Sequence, residues 1–164
     1  MTHLSPGYDI EQVCAGLAKA WEFLCGKERD FALSVSHKAV LAFTEFSYFM
    51  PLKMPTEQRI GGIGVLIQRP DACDVAAHMF GADASCLHED DLHDACAEVC
   101  NLFSDCVALH ISGNSDINMD LPFLASQAVY DQITAQSSVT SVYVSCSPNA
   151  QLYVVEYYIF SQPQ

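Results

Sequence analysis

The sequence is poor in cations. Lys and Arg number 7 against 20 Asp and Glu, a formal net charge of −13 at neutral pH. No Lys or Arg follows Arg69. Phosphate backbones are held by Lys and Arg, so nucleic acid is not an expected partner. An anionic membrane surface is not expected either. Long apolar runs are also missing: none reaches the roughly 18 residues of a bilayer span. The first nine residues, MTHLSPGYD, carry neither the basic nor the apolar region of a secretory signal, which points to the cytoplasm. None of the eight Cys forms a CxxC pair, the commonest zinc and redox signature. The glycines of IGGIGVLIQ (60–68) match neither GxGxxG nor GxxxxGK, so a phosphate loop is not expected. Ser104 and Ser112 lie in no GxSxG, and nothing singles out a glycosidase-like carboxylate pair.

What is present is mostly core. Apolar residues make up 51% of the 164 and charged residues only 16%, a composition that buries a core and excludes wholesale disorder. The length suits one domain over 1–164. Apolar residues at 10, 13, 14, 17, 20, 21 and 24 recur at the helical period, with Asp9 placed to cap and Gly26 to close. Phe31–Val35 alternates like a strand, and Val40–Phe49 is rich in β-branched and aromatic residues. Pro51 and Pro55 make Met50–Arg59 read as a loop. Ile60–Gln68 reads as a buried strand, and Pro70–Phe80 as a short helix stopped by Gly81. An acidic loop, 82–90, leads to a long helix. Ser112–Asn118 is turn-like, and Asn118–Leu124 is extended but interrupted by Pro122. Val139–Ser145 and Leu152–Phe160 form a hairpin around SPNAQ. Tyr153, Tyr157, Tyr158 and Phe160 read as sheet core or strand edge rather than as a ligand cage. The order predicts an α+β fold, a largely antiparallel sheet covered by helices.

The long helix, Asp91–His110 (DLHDACAEVCNLFSDCVALH), has two opposed faces. At about 100° per residue, Asp94, Glu98, Asn101 and Asp105 fall within an arc of roughly 60°. Cys96, Val99, Cys100, Phe103, Cys106 and Val107 take the other side and need no explanation beyond burial. The polar side is unusual. Its acids have no cation to pair with on the helix, and like charges at this spacing are mildly unfavourable. Asn101 is a poor mid-helix residue. A local choice made against helix stability points to function. The thiols of Cys14, Cys25, Cys96, Cys100 and Cys106 sit among apolar residues, where free Cys behaves as a small hydrophobe. A metal set from Cys86, His88, His93, Cys96, Cys100, Cys106 and His110 is the competing reading. His93, Cys96 and Cys100 follow at i, i+3 and i+7, whereas zinc sites more often draw pairs from separate elements. No metal is expected.

The stretch from Asp94 to Asn101, DACAEVCN, resembles the signature of the CheC/CheX/FliY chemotaxis phosphatases: Asp or Ser, then ExxN, then a downstream Pro, here Pro122 in DLPFL. The preceding RIGGIGVLIQRPDACDVAAHMFG is similar to that family's strand and short helix. The resemblance covers roughly Ile60–Leu124; the first helix and last hairpin match in order only. A single ExxN resembles the CheX type. Where the family has a small Gly-containing stretch after the Asn, this chain has Leu102-Phe-Ser-Asp105. The resemblance implies a CheX-like fold with long helices on one sheet face, and a homodimer. It implies a phosphatase acting on the aspartyl phosphate of a CheY-type response regulator, with no cofactor of its own and Mg²⁺ supplied by the regulator. In that scheme Asn101 orients the attacking water, Glu98 engages the regulator's active-site Lys, and Asp94 lies at the rim of the contact. A non-catalytic adaptor of the same fold is the alternative, and no nucleic acid or membrane enters either reading.

Overall fold

The computed structural model describes residues 9–34, 41–54, 59–112, 117–148 and 150–159. The first helix, α1 (Ile10–Cys25), is set at both ends by short-range chemistry. The Asp9 carboxylate accepts from the Glu11 amide at 2.9 Å, and Gly26, at φ 75°, turns the chain out in the left-handed region. Gly81, at φ 61°, ends α2 (Arg69–Phe80) in the same way, after Pro70 has opened its first turn. The third helix, α3 (Glu89–Ser112), runs 24 residues, roughly 36 Å at 1.5 Å per residue.

Seven strands form one sheet: β1 (Ala32–Leu33), β2 (Phe46–Met54), β3 (Arg59–Ile67), β4 (Asn118–Met119), β5 (Phe123–Leu124), β6 (Ser137–Cys146) and β7 (Gln151–Ile159). The order is β1-β6-β7-β3-β2, with β4 and β5 both on the outer edge of β2, and every pairing is antiparallel. Alternation sorts the side chains. Phe46, Tyr48, Met50, Leu52, Ile63, Val65 and Ile67 join the core under α1, α2 and α3. Phe49, Leu66, Val155 and Tyr157 face the other way, where Tyr130 of a fourth helix, α4 (Gln127–Gln136), packs on them. Gly64 of β3 serves this second face. A Cβ on Gly64 would lie 2.7 Å from Phe49 Cε1 and 2.9 Å from Tyr157 Cε2. Lacking a Cβ, Gly64 therefore leaves room for both rings to lie over β3 on this one face.

Several expectations are corrected. β2 begins at Phe46 rather than at residue 40 and continues through Pro51 to Met54, where a loop was expected. The Pro51 carbonyl accepts from the Asp120 amide at 3.3 Å on the β4–β5 side. A strand residue's N–H and C=O point to the same edge, so the donor that Pro51 lacks falls in the gap between β4 and β5, not in the β2–β3 ladder. β1 is shorter than Phe31–Val35, and Val35 lies outside the described residues. α4 is an element the sequence signals do not announce. β7 is an interior strand, paired with β6 on one side and β3 on the other. Its tyrosines therefore offer no edge to a second subunit. Phe160 lies outside the described residues, as does the side chain of Tyr158. Among the described residues no helix is long and apolar enough to cross a membrane.

A buried ion pair ties the end of α1 to the rest. Arg29 Nη1 lies 2.6 Å from Asp71 Oδ1 in the first turn of α2. Arg29 Nε donates to Ser145 Oγ at 2.8 Å, and Nη2 to the Ser145 and Ala150 carbonyls at 3.2 and 3.3 Å. The guanidinium also sits 5.2 Å from the centre of the Trp21 ring.

Candidate functional site

The two faces of α3 divide as its periodicity dictates. Leu92, Ala95, Cys96, Val99, Cys100, Phe103 and Val107 are buried against the sheet and α1. Cys106 is half-buried at the α1 contact, where a Cβ on Gly16 would lie 3.5 Å from its Sγ. On the outer side Asp94 and Asp105 are exposed, and Glu98 and Asn101 are half-buried. One turn separates Glu98 from Asn101, so their side chains stand as neighbours on one surface. Neither makes a hydrogen bond or ion pair with another described residue. The Asn101 carboxamide thus keeps both its donor and its acceptor capacity, and the Glu98 carboxylate keeps its acceptors.

The electrostatics of this face are one-sided. Asp105 has its pKa raised, by partial desolvation first and by the Glu98 charge second. The nearest clamp on α3 is at its start. Arg69 Nη1 and Nη2 reach Glu89 Oε1 and Oε2 at 2.8 and 3.1 Å, and its Nε reaches Glu45 at 2.7 Å. The hydrogen bond from Arg69 lowers the Glu89 pKa. Arg69 also lies 5.2 Å over the Phe46 ring. Phe46 packs against His93 at 4.8 Å between ring centres, and the Tyr48 hydroxyl is 2.8 Å from His93 Nδ1. These contacts fix the first turns of α3 on β2, one turn before Glu98. Behind the site, Phe103 meets Phe31 edge-on at 5.5 Å and Trp21 at 6.5 Å. The side chains that α3 displays therefore stand on a helix held from behind along much of its length.

The competing metal set does not come together. Cys96 and Cys100 are buried, and burial pushes the Cys100 thiol up to about 12. His93 is turned to Tyr48, and Cys86 is exposed in a 3-10 turn, Ala84–Cys86. The His110 side chain lies outside the described residues. Among the described residues no three His, Cys, Asp or Glu converge as a metal-binding group. Pro122 is half-buried between β4 and β5, on the edge of the strand that α3 packs against. No local pattern announces the Tyr48–His93 contact, which spans 45 residues.

No protein-family model and no curated protein matches this sequence. Solved structures do match over nearly the whole chain. A chemotaxis protein CheX from Vibrio vulnificus superposes with a TM-score of 0.67 at 12% identity, over 96% of this chain and 99% of that one. The CheX–CheY–BeF3–Mg²⁺ complex from Borrelia burgdorferi matches with a TM-score of 0.63 at 14% identity, over 93% and 98%. The FliM middle domain from H. pylori matches with a TM-score of 0.56 at 12% identity, over 93% and 88%.

Proposed function

Because the chain has the fold of CheX and CheC-like chemotaxis proteins, we propose that it accelerates hydrolysis of the aspartyl phosphate on a CheY-type response regulator in the cytoplasm. The observation that carries this reading is the pair Glu98 and Asn101, side by side on the outer face of α3 with no partner among the described residues. Acyl-phosphate hydrolysis needs an in-line water and stabilised charge on the transferring group. The regulator supplies the charge stabilisation with its own Mg²⁺ and Lys, so the protein has only to place the water. The Asn101 amide does this by donating to the water or phosphoryl oxygen and accepting from the water in turn. Glu98 takes a charge-assisted bond from the regulator's Lys and sets the depth of insertion. Asp94, one turn earlier and exposed, meets the rim of the regulator. No group on this protein changes protonation or forms a covalent bond.

Phosphate release from a phosphorylated CheY-like regulator tests the reading. Added protein should speed the release. Asn101→Ala should lower that acceleration by roughly 10²-fold, the scale of misplacing one reacting group. Glu98→Ala should act mainly through weaker binding. Unchanged acceleration in both variants refutes the assignment.

The adaptor reading has one observation in its favour: Asp105 stands exposed one turn beyond Asn101 and adds a like charge beside Glu98. It predicts regulator binding with no change in phosphate release. The homodimer is also part of the proposal. Met119, Leu121, Phe123 and Leu124 are exposed along the β4–β5 edge, where a second copy would pack. Sedimentation of the same sample as a monomer removes that part.

A further inference from the structure

Phe23 of α1 is 76% exposed, against 47% for Phe80 and 39% for Phe123. Single exposed apolar side chains are ordinary on a folded domain. The position of this one is not. Gly16 faces α3: a Cβ there would lie 3.5 Å from Cys106 Sγ. Phe23 follows seven residues later, so it lies within about 20° of Gly16 around the helix and about 10 Å further along it. The two helices run antiparallel, since Trp21, after Gly16 in α1, meets Phe103, before Cys106 in α3, at 6.5 Å between ring centres. Phe23 is therefore roughly level with the turn of α3 that carries Asn101.

On α3 the row Glu98, Leu102, Cys106 follows at i, i+4 and i+8, each about 40° round from the last. Glu98 belongs to the outer face and Cys106 to the α1 contact, so half-buried Leu102 lies between them. Leu109, 72% exposed, stands within about 20° of Leu102 around the helix. An apolar strip of Phe23, Leu102 and Leu109 thus borders the acidic row Asp94, Glu98 and Asp105 on its α1 side. α3 itself carries no Lys or Arg. A partner that matches both rows presents apolar side chains beside a cation.

Size decides whether one partner spans both. Packed helix axes lie about 8–10 Å apart. A standard protein interface buries roughly 800 Å² on each partner, a patch about 30 Å across if round. A receiver domain seated on Glu98 and Asn101 therefore covers the α1–α3 seam as well. On the reading that a response regulator docks at Glu98 and Asn101, we propose that Phe23 is the apolar anchor of that docking. Its ring is covered by an apolar side chain of the regulator while Glu98 takes the regulator's Lys. Exposed aromatics that become buried in this way carry a large share of interface energy. Phe23 then sets which regulator binds and how tightly, and Asn101 sets how fast phosphate leaves.

The probe is the CheY-like regulator of the phosphate-release assay, activated with beryllium fluoride and Mg²⁺ and titrated calorimetrically into the full-length protein. Phe23→Ala should raise Kd about tenfold or more, the scale of truncating an interface aromatic. The half-saturating regulator concentration for phosphate release should rise by the same factor, with the maximal rate unchanged. Asn101→Ala should do the reverse, lowering the maximal rate and leaving Kd near the parent value. Glu22→Ala, exposed and about 100° round α1 from Phe23, should stay within about twofold of the parent. Circular dichroism of each variant should match the parent. A Kd for Phe23→Ala within about twofold of the parent overturns the proposal, and so does an equal loss in Glu22→Ala. The reading beneath it fails differently. A parent that binds the regulator without speeding phosphate release removes the phosphatase alone, and the Kd of Phe23→Ala still decides the anchor. A parent that binds no activated regulator overturns both.

Discussion

Replacing Arg29 with Met removes the guanidinium while keeping a chain of similar length. The side chains of Arg29 and Asp71 are 6% and 4% exposed. Four hydrogen bonds from Arg29 end at Asp71, at Ser145 Oγ and at two hairpin carbonyls. The substitution therefore leaves a carboxylate buried with no counter-charge and takes the donors away from both carbonyls. Breaking a buried pair from one side costs about 3–5 kcal/mol. That is a fifth or more of the ~5–15 kcal/mol that holds a typical domain together. The control is Lys27→Met, whose pair with Asp74 is 65% and 47% exposed; there the loss should stay within ~1 kcal/mol. Urea unfolding followed by Trp21 fluorescence measures both, since the guanidinium stacks on that ring. Adding Asp71→Asn to Arg29→Met removes the stranded charge, so the double variant should be more stable than Arg29→Met alone. A loss below ~1 kcal/mol for Arg29→Met, or a double variant weaker than the single one, refutes the reasoning.

Asp105→Asn should raise stability slightly at neutral pH, by less than ~1 kcal/mol for so exposed a group. The folded-state pKa of Asp105 is raised, so ionisation disfavours the folded state; the gain is present above that pKa and vanishes below the ordinary Asp value of about 3.9. Urea midpoints at neutral and acid pH check this, and an equal gain at both refutes it. In the native protein a thiol reagent should reach the exposed Cys86 and Cys146 first. Cys25, raised to about 11 by burial, and Cys96 and Cys100, also raised by burial, should react only on unfolding. Mass spectrometry of the labelled protein reads the order.

Elements with strong local signals were legible. α1 had its cap, its closing Gly26 and an apolar stripe, and α3 had a clean division of faces. The outward placement of Asp94, Glu98, Asn101 and Asp105 followed from helical period alone. The extent of β2 was not legible, because whether Pro51 breaks a strand depends on which edge its missing donor meets. α4 was hidden because its hold on the sheet is one buried aromatic, Tyr130, and not a long stripe. Its hydroxyl donates to the Leu41 carbonyl, 89 residues away.

Local sequence therefore determined which segments become helices, which side of each is apolar, and that an acid and an amide stand one turn apart on the longest one. These depend on interactions within a few residues. Tertiary structure alone decided that β7 is interior, that Tyr48 and Phe46 hold His93 and with it the start of α3, and that Arg29, Asp71 and Trp21 meet around a cavity. Each of those depends on groups 42 to 116 residues apart, and only closure of the sheet under its helices brings them within reach.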